Sequence, residues 1–361
     1  HDPADPSWPD RDRFVLSAGH ASMLLYSALY LAGYDLTIED LKNFRQWESK
    51  TPGHPEYGYT DGVETTTGPL GQGMSNAVGM AMAEAHLAAV FNTPGHEIVN
   101  HYTWFICSDG DLMEGISHEA ASFAGHFGLG KLIGFYDDNK ITIDGSTELS
   151  YSDDAGKRFE AYGWQVLRLD DVNDLAAIDA VIAQAKADTK RPTLVVTKTH
   201  IGYGSPNKQD TAKAHGEPLG KDEVVLSKKN LGWQWPEETF KVPEEVLTHC
   251  RERAAAGSRP RAEWETRLAT HPQAAEFQRR IEGRLPHGWE QKIPSFTKQK
   301  GNVDSRAASN TVLNAVAGVL PELMGGSADL TPSNGTTLKN ATVFSREHHE
   351  GRYVHFGIRE H

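Results

Sequence analysis

The sequence predicts an α/β fold: a parallel sheet with helices on both faces, followed by the start of a second α/β unit. The main observation is that short β-branched or aromatic runs alternate regularly with helical stretches between residues 102 and 198. This alternation is typical of a parallel sheet, because each parallel strand needs a crossover to reach the next. A second observation is that Asp and Asn residues follow two of the runs, at the strand ends where such sheets bind ligands.

The individual elements follow from hydrophobic periodicity, length and turn residues. A helix over 21–33 ends at Gly33, a residue suited to a helix C-cap. Further helices are predicted over 72–91, 113–127, 155–162 and 174–189, and strands over 102–107, 132–136, 165–169 and 193–198.

The alternation weakens after residue 204. The segment 205–305 is polar and contains helical pieces such as 261–282, so we interpret it as a connection between domains. A second α/β unit is predicted from Arg306, with a helix to Val319 and strands near Leu323 and Tyr353. The expected organisation is therefore a first domain over 1–204, a connection over 205–305, and the beginning of a second domain over 306–361.

Bulk properties exclude several functional classes. The net charge of −13 argues against a sequence-independent nucleic-acid binder, and an anionic substrate would need a local basic pocket. No apolar run approaches the roughly eighteen residues that cross a bilayer, so no membrane association is predicted. Only Cys107 and Cys250 are present, which favours a reducing, cytoplasmic location. The chain begins at His1 and ends at His361 without a closing element, so we expect a piece of a longer protein.

Asp109 and Asn139 follow two successive predicted strands. If these strands are adjacent and parallel, both side chains lie at one edge of the sheet. A carboxylate and an amide oxygen suit a hard divalent cation such as Mg²⁺ or Ca²⁺, and Gly110 would let the backbone approach a diphosphate. Either residue alone is more often a turn residue or a helix cap. The pair is what favours a metal and diphosphate site.

Longer segments extend this pattern across essentially the whole chain. They are 17–20 (SAGH), 51–56 (TPGHPE), 66–73 (TTGPLGQG), 136–145 (YDDNKITIDG), 202–207 (GYGSPN), 215–220 (HGEPLG), 325–334 (GGSADLTPSN) and 356–361 (FGIREH). Their order and spacing resemble those of the transketolase family. The stretch from Asp109 to Asn139 also resembles the thiamine-diphosphate motif, with Ser108 where that motif usually has Gly.

The resemblance implies the thiamine-diphosphate-binding fold, with a diphosphate-binding first domain and a pyrimidine-binding second domain. It implies transfer of a two-carbon ketol unit from a ketose phosphate to an aldose phosphate, as in the pentose phosphate pathway. The implied cofactors are thiamine diphosphate and Mg²⁺ or Ca²⁺, and the implied assembly is a homodimer.

The resemblance also implies roles for individual residues. The implied cofactor contacts are His20, Gly68, Pro69, Leu70, Asp109, Gly110, Glu114, Asn139, His215, Asp329, Leu330 and Glu360. The implied metal ligands are the side chains of Asp109 and Asn139 and the carbonyl of Ile141. The implied substrate contacts are His20, His54, His215, Arg306 and Ser333, with Arg306 and Ser333 on the sugar phosphate. Glu114 and Glu119 would lie at the dimer interface.

The implied catalytic residues are Glu360, His20, His54 and His215. Glu360 would activate the cofactor through its aminopyrimidine ring, and we expect this carboxyl to be largely shielded from water. Because the family builds each active site from two chains, we also expect the 361-residue chain by itself to be inactive.

Three alternatives remain in view. A sister enzyme such as a dihydroxyacetone synthase uses the same chemistry, whereas segments 51–56 and 215–220 argue against a deoxyxylulose-phosphate synthase. A non-catalytic half-protein that pairs with another chain would keep the same motifs. A nicotinamide-dependent dehydrogenase is disfavoured, because no G-x-G-x-x-G run follows a predicted strand.

Overall fold

The structure is a computed structural model that describes residues 1–297 and 301–361. Within those residues, a five-stranded parallel sheet has the order β1-β2-β3-β5-β4. The predicted α/β fold with a parallel sheet is therefore confirmed. The strands are β1 Arg13–Leu16, β2 Thr103–Ser108, β3 Leu132–Asp138, β4 Gln165–Leu169 and β5 Thr193–Lys198.

Helices connect these strands and continue beyond them. The helices are α1 Ser22–Ala32, α2 Ile38–Lys42, α3 Gln72–Phe91, α4 Asp109–Met113, α5 Gly115–Phe127, α6 Ala155–Ala161, α7 Leu175–Ala187, α8 Ala212–Gly216, α9 Lys221–Asn230, α10 Glu244–Ala255, α11 Ser258–Ala269, α12 Ala274–Ile281, α13 Ser305–Ala317 and α14 Thr331–Asn334. Most predicted elements are present within one to three residues. Gly33 ends α1 in the left-handed conformation (φ +91°), as its position in the sequence predicted.

Two predicted helices are each interrupted. The stretch 113–127 was expected to be one helix, but Glu114 is extended (φ −66°, ψ 139°) and separates α4 from α5. Helix α4 begins earlier than expected because Ser108 and Asp111 form a capping box. The stretch 261–282 is divided between α11 and α12, where the His271 ring accepts a hydrogen bond from the Gln273 N–H. Strand β1 was not predicted, because four residues are too few to establish a period.

The core of the sheet is formed on both faces. On one face, Val181 and Ala185 of α7 pack in a buried cluster with Ile133, Leu167 and Val195. Helix α6 lies against the other face, where a Cβ atom on Gly156 would lie 3.5 Å from Val166 Cγ1. Helices on both faces leave the strand ends as the natural place for a ligand.

By compactness the chain divides into one unit of residues 1–82 and 101–262 and a second of residues 83–100 and 263–361. In the second unit, β6 (Gly325–Ser327) pairs in parallel with β7 (Tyr353–His355). The domain boundaries predicted near residues 204 and 305 remain predictions. Among the residues that the structure describes, no helix is both long and apolar enough to span a membrane.

Two helical glycines provide a matched test of this packing. A Cβ atom on Gly125 in α5 would lie 1.8 Å from the Tyr162 carbonyl oxygen, whereas on Gly79 in α3 it would meet no described atom within 4 Å. We expect Gly125→Ala to lower the free energy of unfolding by about 1–3 kcal/mol. Gly79→Ala should raise it by about 0.5–1 kcal/mol, because Ala is the better helix former. Urea denaturation measures both, and similar effects of the two substitutions would contradict the packing described here.

Candidate functional site at the carboxyl edge of the sheet

The carboxyl ends of β2 and β3 are direct neighbours. Cys107 lies opposite Tyr136 and Ser108 opposite Asp137, in parallel register. Asp109 follows β2 as the first residue of α4, and Asn139 follows β3 directly. The predicted adjacency of the two strands is therefore confirmed, and the role of the two residues as metal ligands remains a prediction.

Asp109 is a buried carboxylate, with only 2% of its surface exposed. Burial raises its pKa to about 6, and the nearby carboxylates of Asp138 and Asp137 add to the rise. The Tyr136 hydroxyl donates a hydrogen bond to Asp109, and this bond lowers the pKa of Asp109 but does not offset the effect of burial. The same hydroxyl lies 3.0 Å from Asp138 Oδ1. A cation bound to Asp109 would compensate the buried charge directly.

The turn after Asn139 is held in a defined shape. The Ile141 N–H donates to Asn139 Oδ1 at 2.9 Å, and the Thr147 N–H donates to the Lys140 carbonyl at 3.0 Å. Lys140 adopts the left-handed conformation (φ +65°), which is uncommon for a residue with a long side chain. Asn139 Oδ1 keeps a second lone pair, so this hydrogen bond does not prevent it from binding a cation.

Histidines from separate segments meet in the same compact unit: His20 lies in a 3-10 turn, Gly19–Ala21, and His215 lies in α8. The His20 and His215 rings stack with centroids 5.1 Å apart and an interplanar angle of 18°. A Cβ atom on Gly68 would lie 3.2 Å from the His54 ring, so His54 packs on the glycine-rich loop. Burial lowers the pKa of His20, and the neighbouring His215 lowers it further. His20 therefore favours the neutral form, in which one ring nitrogen can accept a proton and the other donates a hydrogen bond.

The glycine-rich loop packs directly on the turn that carries Asp109. A Cβ atom on Gly110 would lie 2.9 Å from Leu70 Cδ1, and one on Gly19 would lie 2.7 Å from the Gly68 nitrogen. Gly68 has φ +144°, a conformation that side chains rarely adopt. Pro69, next to it, is exposed. The backbone of Gly19, next to His20, thus lies against Gly68, and the Leu70 side chain packs on Gly110.

Thr67 Oγ1 and His215 Nδ1 are among the buried polar atoms of this unit that have no hydrogen-bond partner in the part of the chain that the structure describes, as are Thr103 Oγ1 on β2 and Arg158 Nε on α6. Unsatisfied buried polar atoms are uncommon in native proteins, and a bound polar ligand is one way to satisfy them. The described residues also contain no group of three or more His, Cys, Asp or Glu side chains arranged for a metal. The predicted set of Asp109, Asn139 and the Ile141 carbonyl would supply one carboxylate, one amide and one carbonyl oxygen, which are ligands that a hard cation takes.

Five of the predicted site residues lie in the second compact unit. Arg306 Nη1 donates to the Ser333 carbonyl at 3.3 Å, and the Arg306 side chain is 59% exposed. Asp329 is left-handed (φ +62°), and both it and Leu330 are exposed. Glu360 is also exposed, so the shielding expected for this carboxyl is not provided by the residues that the structure describes.

The two residues predicted to lie at a dimer interface occupy the break between α4 and α5 and the helix after it. Glu114 is exposed at the break, and Glu119 is half-buried on α5.

Sequence reasoning missed two residues close to Asp109. Tyr136 donates a hydrogen bond to Asp109, and Asp111, two residues after Asp109 in the chain, is fully buried. Both left a signal: Tyr136 lies two residues before Asp138 on the same strand face, and Ser108 with Asp111 has capping-box spacing.

Two family models match this chain. One is described as "Transketolase, thiamine diphosphate binding domain" and matches residues 1–286, and the other as "Transketolase, pyrimidine binding domain" and matches residues 301–361. Among curated proteins, the chain is 54% identical to transketolases from Geobacillus stearothermophilus and from a Nostoc species. Each match covers all of this chain but only 54% and 55% of the relative, so the chain spans about half their length.

Solved structures give the same result. A transketolase from Pichia stipitis, in complex with sedoheptulose 7-phosphate, is 47% identical with a TM-score of 0.97, and the match covers all of this chain and 55% of that one. A transketolase from Leishmania mexicana is 46% identical with a TM-score of 0.97, covering 54% of that chain. Both likenesses extend over the whole of this chain.

The raised pKa of Asp109 generates a prediction about stability. Its folded pKa of about 6 lies above the ordinary 3.8, so the stability it contributes is full below pH 3.8 and is lost as the pH rises through about 6. Without cofactor or divalent cations, Asp109→Asn should therefore raise the free energy of unfolding at pH 8 by about 1–2 kcal/mol. The gain should shrink towards pH 4.5, as urea denaturation at the two pH values would measure.

Asp171→Asn is the matched control, because Asp171 follows β4 of the same sheet. Hydrogen bonds from the Asn173 backbone and side chain lower the pKa of Asp171, so its contribution has the opposite sign and is lost on acidification. Asp171→Asn should not stabilise the protein at pH 8. If Asp109→Asn changed the free energy of unfolding equally at both pH values, burial of the Asp109 charge would not destabilise the fold.

Proposed function

Because this chain belongs to the transketolase family, we propose that it supplies the thiamine-diphosphate site of an enzyme that transfers a two-carbon ketol unit between sugar phosphates. The observation that carries the proposal is the buried Asp109 carboxylate at the end of β2, beside Asn139 at the end of the neighbouring β3. The sugar phosphate bound by the Pichia stipitis relative supports the same substrate class here.

In this proposal, Asp109, Asn139 and the Ile141 carbonyl hold a divalent cation, Mg²⁺ or Ca²⁺, that binds together with the diphosphate. Asp109 would bind the cation as its carboxylate, so that its buried charge would be compensated. Gly68, Pro69, Leu70 and Gly110 form the backbone wall that lets the cofactor approach closely. The oxygens of Asp109, Asn139 and Ile141 are of the kind that a hard cation prefers.

The bound cofactor supplies a carbon nucleophile that can hold the electron pair of the transferred two-carbon unit. The chain's own residues orient the reactants and move protons. His20, favoured in the neutral form, and His215, stacked on it, bind the hydroxyl and carbonyl oxygens of the sugar. His54 extends the same wall above Gly68. Proton transfer by positioned imidazoles typically contributes on the order of 10²–10⁴ in rate.

Residues of the second unit complete the proposal. Arg306 and Ser333 bind the sugar phosphate, a role to which the guanidinium fork is suited. Asp329 and Leu330 line the cofactor, and Glu360 hydrogen-bonds to its aminopyrimidine. Because Glu360 is exposed, we propose that homodimer assembly, with Glu114 and Glu119 at the interface, shields it.

On this proposal, the isolated 361-residue monomer is inactive. A ketol-transfer assay on material of verified mass would test this.

Cation-dependent cofactor binding tests the central assignment. In the complete enzyme, Asp109→Ala should weaken thiamine diphosphate binding in the presence of Mg²⁺ by more than about 100-fold, because the cation loses its carboxylate ligand. Addition of Mg²⁺ should no longer improve the affinity measured by isothermal titration calorimetry. Asp171→Ala, an acidic residue after another strand of the same sheet, should leave both properties unchanged. Retained Mg²⁺ dependence in Asp109→Ala would refute the assignment.

Substrate discrimination tests the phosphate site. Arg306→Ala in the complete enzyme should raise KM for a phosphorylated ketose roughly 10–100-fold, because a charge-assisted contact contributes about 1.5–3 kcal/mol. KM for an unphosphorylated ketose should change far less. Arg284→Ala, which removes another exposed arginine of the same unit, serves as the control. Equal losses for both substrate types would mean that Arg306 acts on the fold instead.

A further inference from the structure

Asp111 is a fully buried carboxylate at the start of α4, and it accepts hydrogen bonds from three separate segments of the chain. Its Oδ1 accepts from the Ser17 hydroxyl at 2.7 Å and from the Gly71 N–H at 2.7 Å. Its Oδ2 accepts from the Ser108 N–H at 2.9 Å and lies 3.2 Å from the Ser108 hydroxyl. Both oxygens are therefore engaged, and each faces donors.

These contacts cap two helices with one carboxylate. The Gly71 N–H precedes α3, and Ser17 extends the arrangement because its hydroxyl also accepts from the Met74 N–H at 3.0 Å. The Ser108 contacts form the capping box of α4. The first N–H groups of a helix have no partner inside it, and a carboxylate at that end is also favoured by the helix dipole. Asp111 satisfies such groups at both helices.

The two capped helices carry the two sides of the proposed cofactor site. The loop with Gly68 and Leu70 leads directly into α3, and Asp109 and Gly110 are the first two residues of α4. Leu70 packs against Gly110, where a Cβ atom would come within 2.9 Å of Leu70 Cδ1. A small shift between the helices would therefore move the glycine-rich loop relative to the metal-binding carboxylate.

We propose that Asp111 is a positioning residue that fixes the glycine-rich loop against the Asp109 turn, so that diphosphate and cation can bind at once. This inference rests on the proposed function, since it assumes that the two segments share one ligand. Asp111 acts through backbone groups of its neighbours. An acceptor-only group is required because Gly71 and Ser108 both present backbone N–H donors to it.

Asp111→Asn is the direct test. The amide can face either Gly71 or Ser108 with its oxygen, but its NH₂ group then meets a backbone N–H on the other side. We expect the dissociation constant for thiamine diphosphate in saturating Mg²⁺, measured on the complete enzyme, to rise roughly tenfold. Ser17→Ala removes one donor to Asp111 and the acceptor of the Met74 N–H, but it leaves both backbone contacts of Asp111. It should therefore weaken binding less, and the double variant should be non-additive.

Asp12→Asn is the matched control for stability. Asp12 also accepts two hydrogen bonds, from the Tyr102 backbone N–H at 2.8 Å and from the Trp104 side-chain N–H at 2.9 Å. Asp12 directly precedes β1, whereas Ser17 directly follows it, so the two residues lie at opposite ends of that strand. Asp12→Asn should lower the midpoint of urea unfolding without changing cofactor affinity, and it should be additive with Ser17→Ala in both measurements. A purely structural role for Asp111 would give the same pattern as Asp12.

The outcomes separate the two claims. The inference is supported if Asp111→Asn weakens thiamine diphosphate binding, if its effect is non-additive with that of Ser17→Ala, and if Asp12→Asn binds the cofactor normally. Wild-type affinity in Asp111→Asn overturns the inference and leaves the proposed function intact. If Asp111→Asn does not fold, Ser17→Ala decides: unchanged affinity overturns the inference. Absence of Mg²⁺-dependent thiamine diphosphate binding in the wild-type enzyme overturns the proposed function itself.

Discussion

The parallel pairing of β2 with β3 is the constraint on which the rest of the site depends. Because Ser108 lies opposite Asp137, the residues that follow the two strands leave the sheet side by side. An antiparallel pair would have sent Asp109 and Asn139 to opposite edges. The glycine-rich loop can then pack on Gly110, and the stacked histidines belong to the same compact unit.

This arrangement places polar groups where folding alone would not favour them. Asp109 is buried with a raised pKa, and Thr67 Oγ1 and His215 Nδ1 lack partners among the residues described. Each is unfavourable in the chain by itself, and each would be relieved by a cation, a diphosphate or a sugar. Sites of function commonly carry such local costs, which the surrounding core offsets.

The sequence predicted the parts of the fold that depend on local pattern. The runs that form β2, β3 and β5 are aromatic or β-branched, and their alternation with helices was sufficient to place Asp109 beside Asn139. It did not predict the break at Glu114, where an extended residue ends one helix and the next begins at Gly115. Nor did it predict the contacts of Asp111, whose partners Gly71 and Ser17 lie 40 and 94 positions away. The exposure of Glu360 likewise depends on what packs over it, which local sequence does not specify.

The central claim is that the edge formed by β2 and β3 holds a divalent cation together with thiamine diphosphate. Anomalous diffraction from a crystal of the complete enzyme, grown with thiamine diphosphate and Mn²⁺ in place of Mg²⁺, tests it most directly. The account predicts an anomalous peak at coordination distance from the side-chain oxygens of Asp109 and Asn139 and from the Ile141 carbonyl, with diphosphate oxygens completing the shell. Bound cofactor with no peak there, or with the Mn²⁺ peak on other residues, would contradict it.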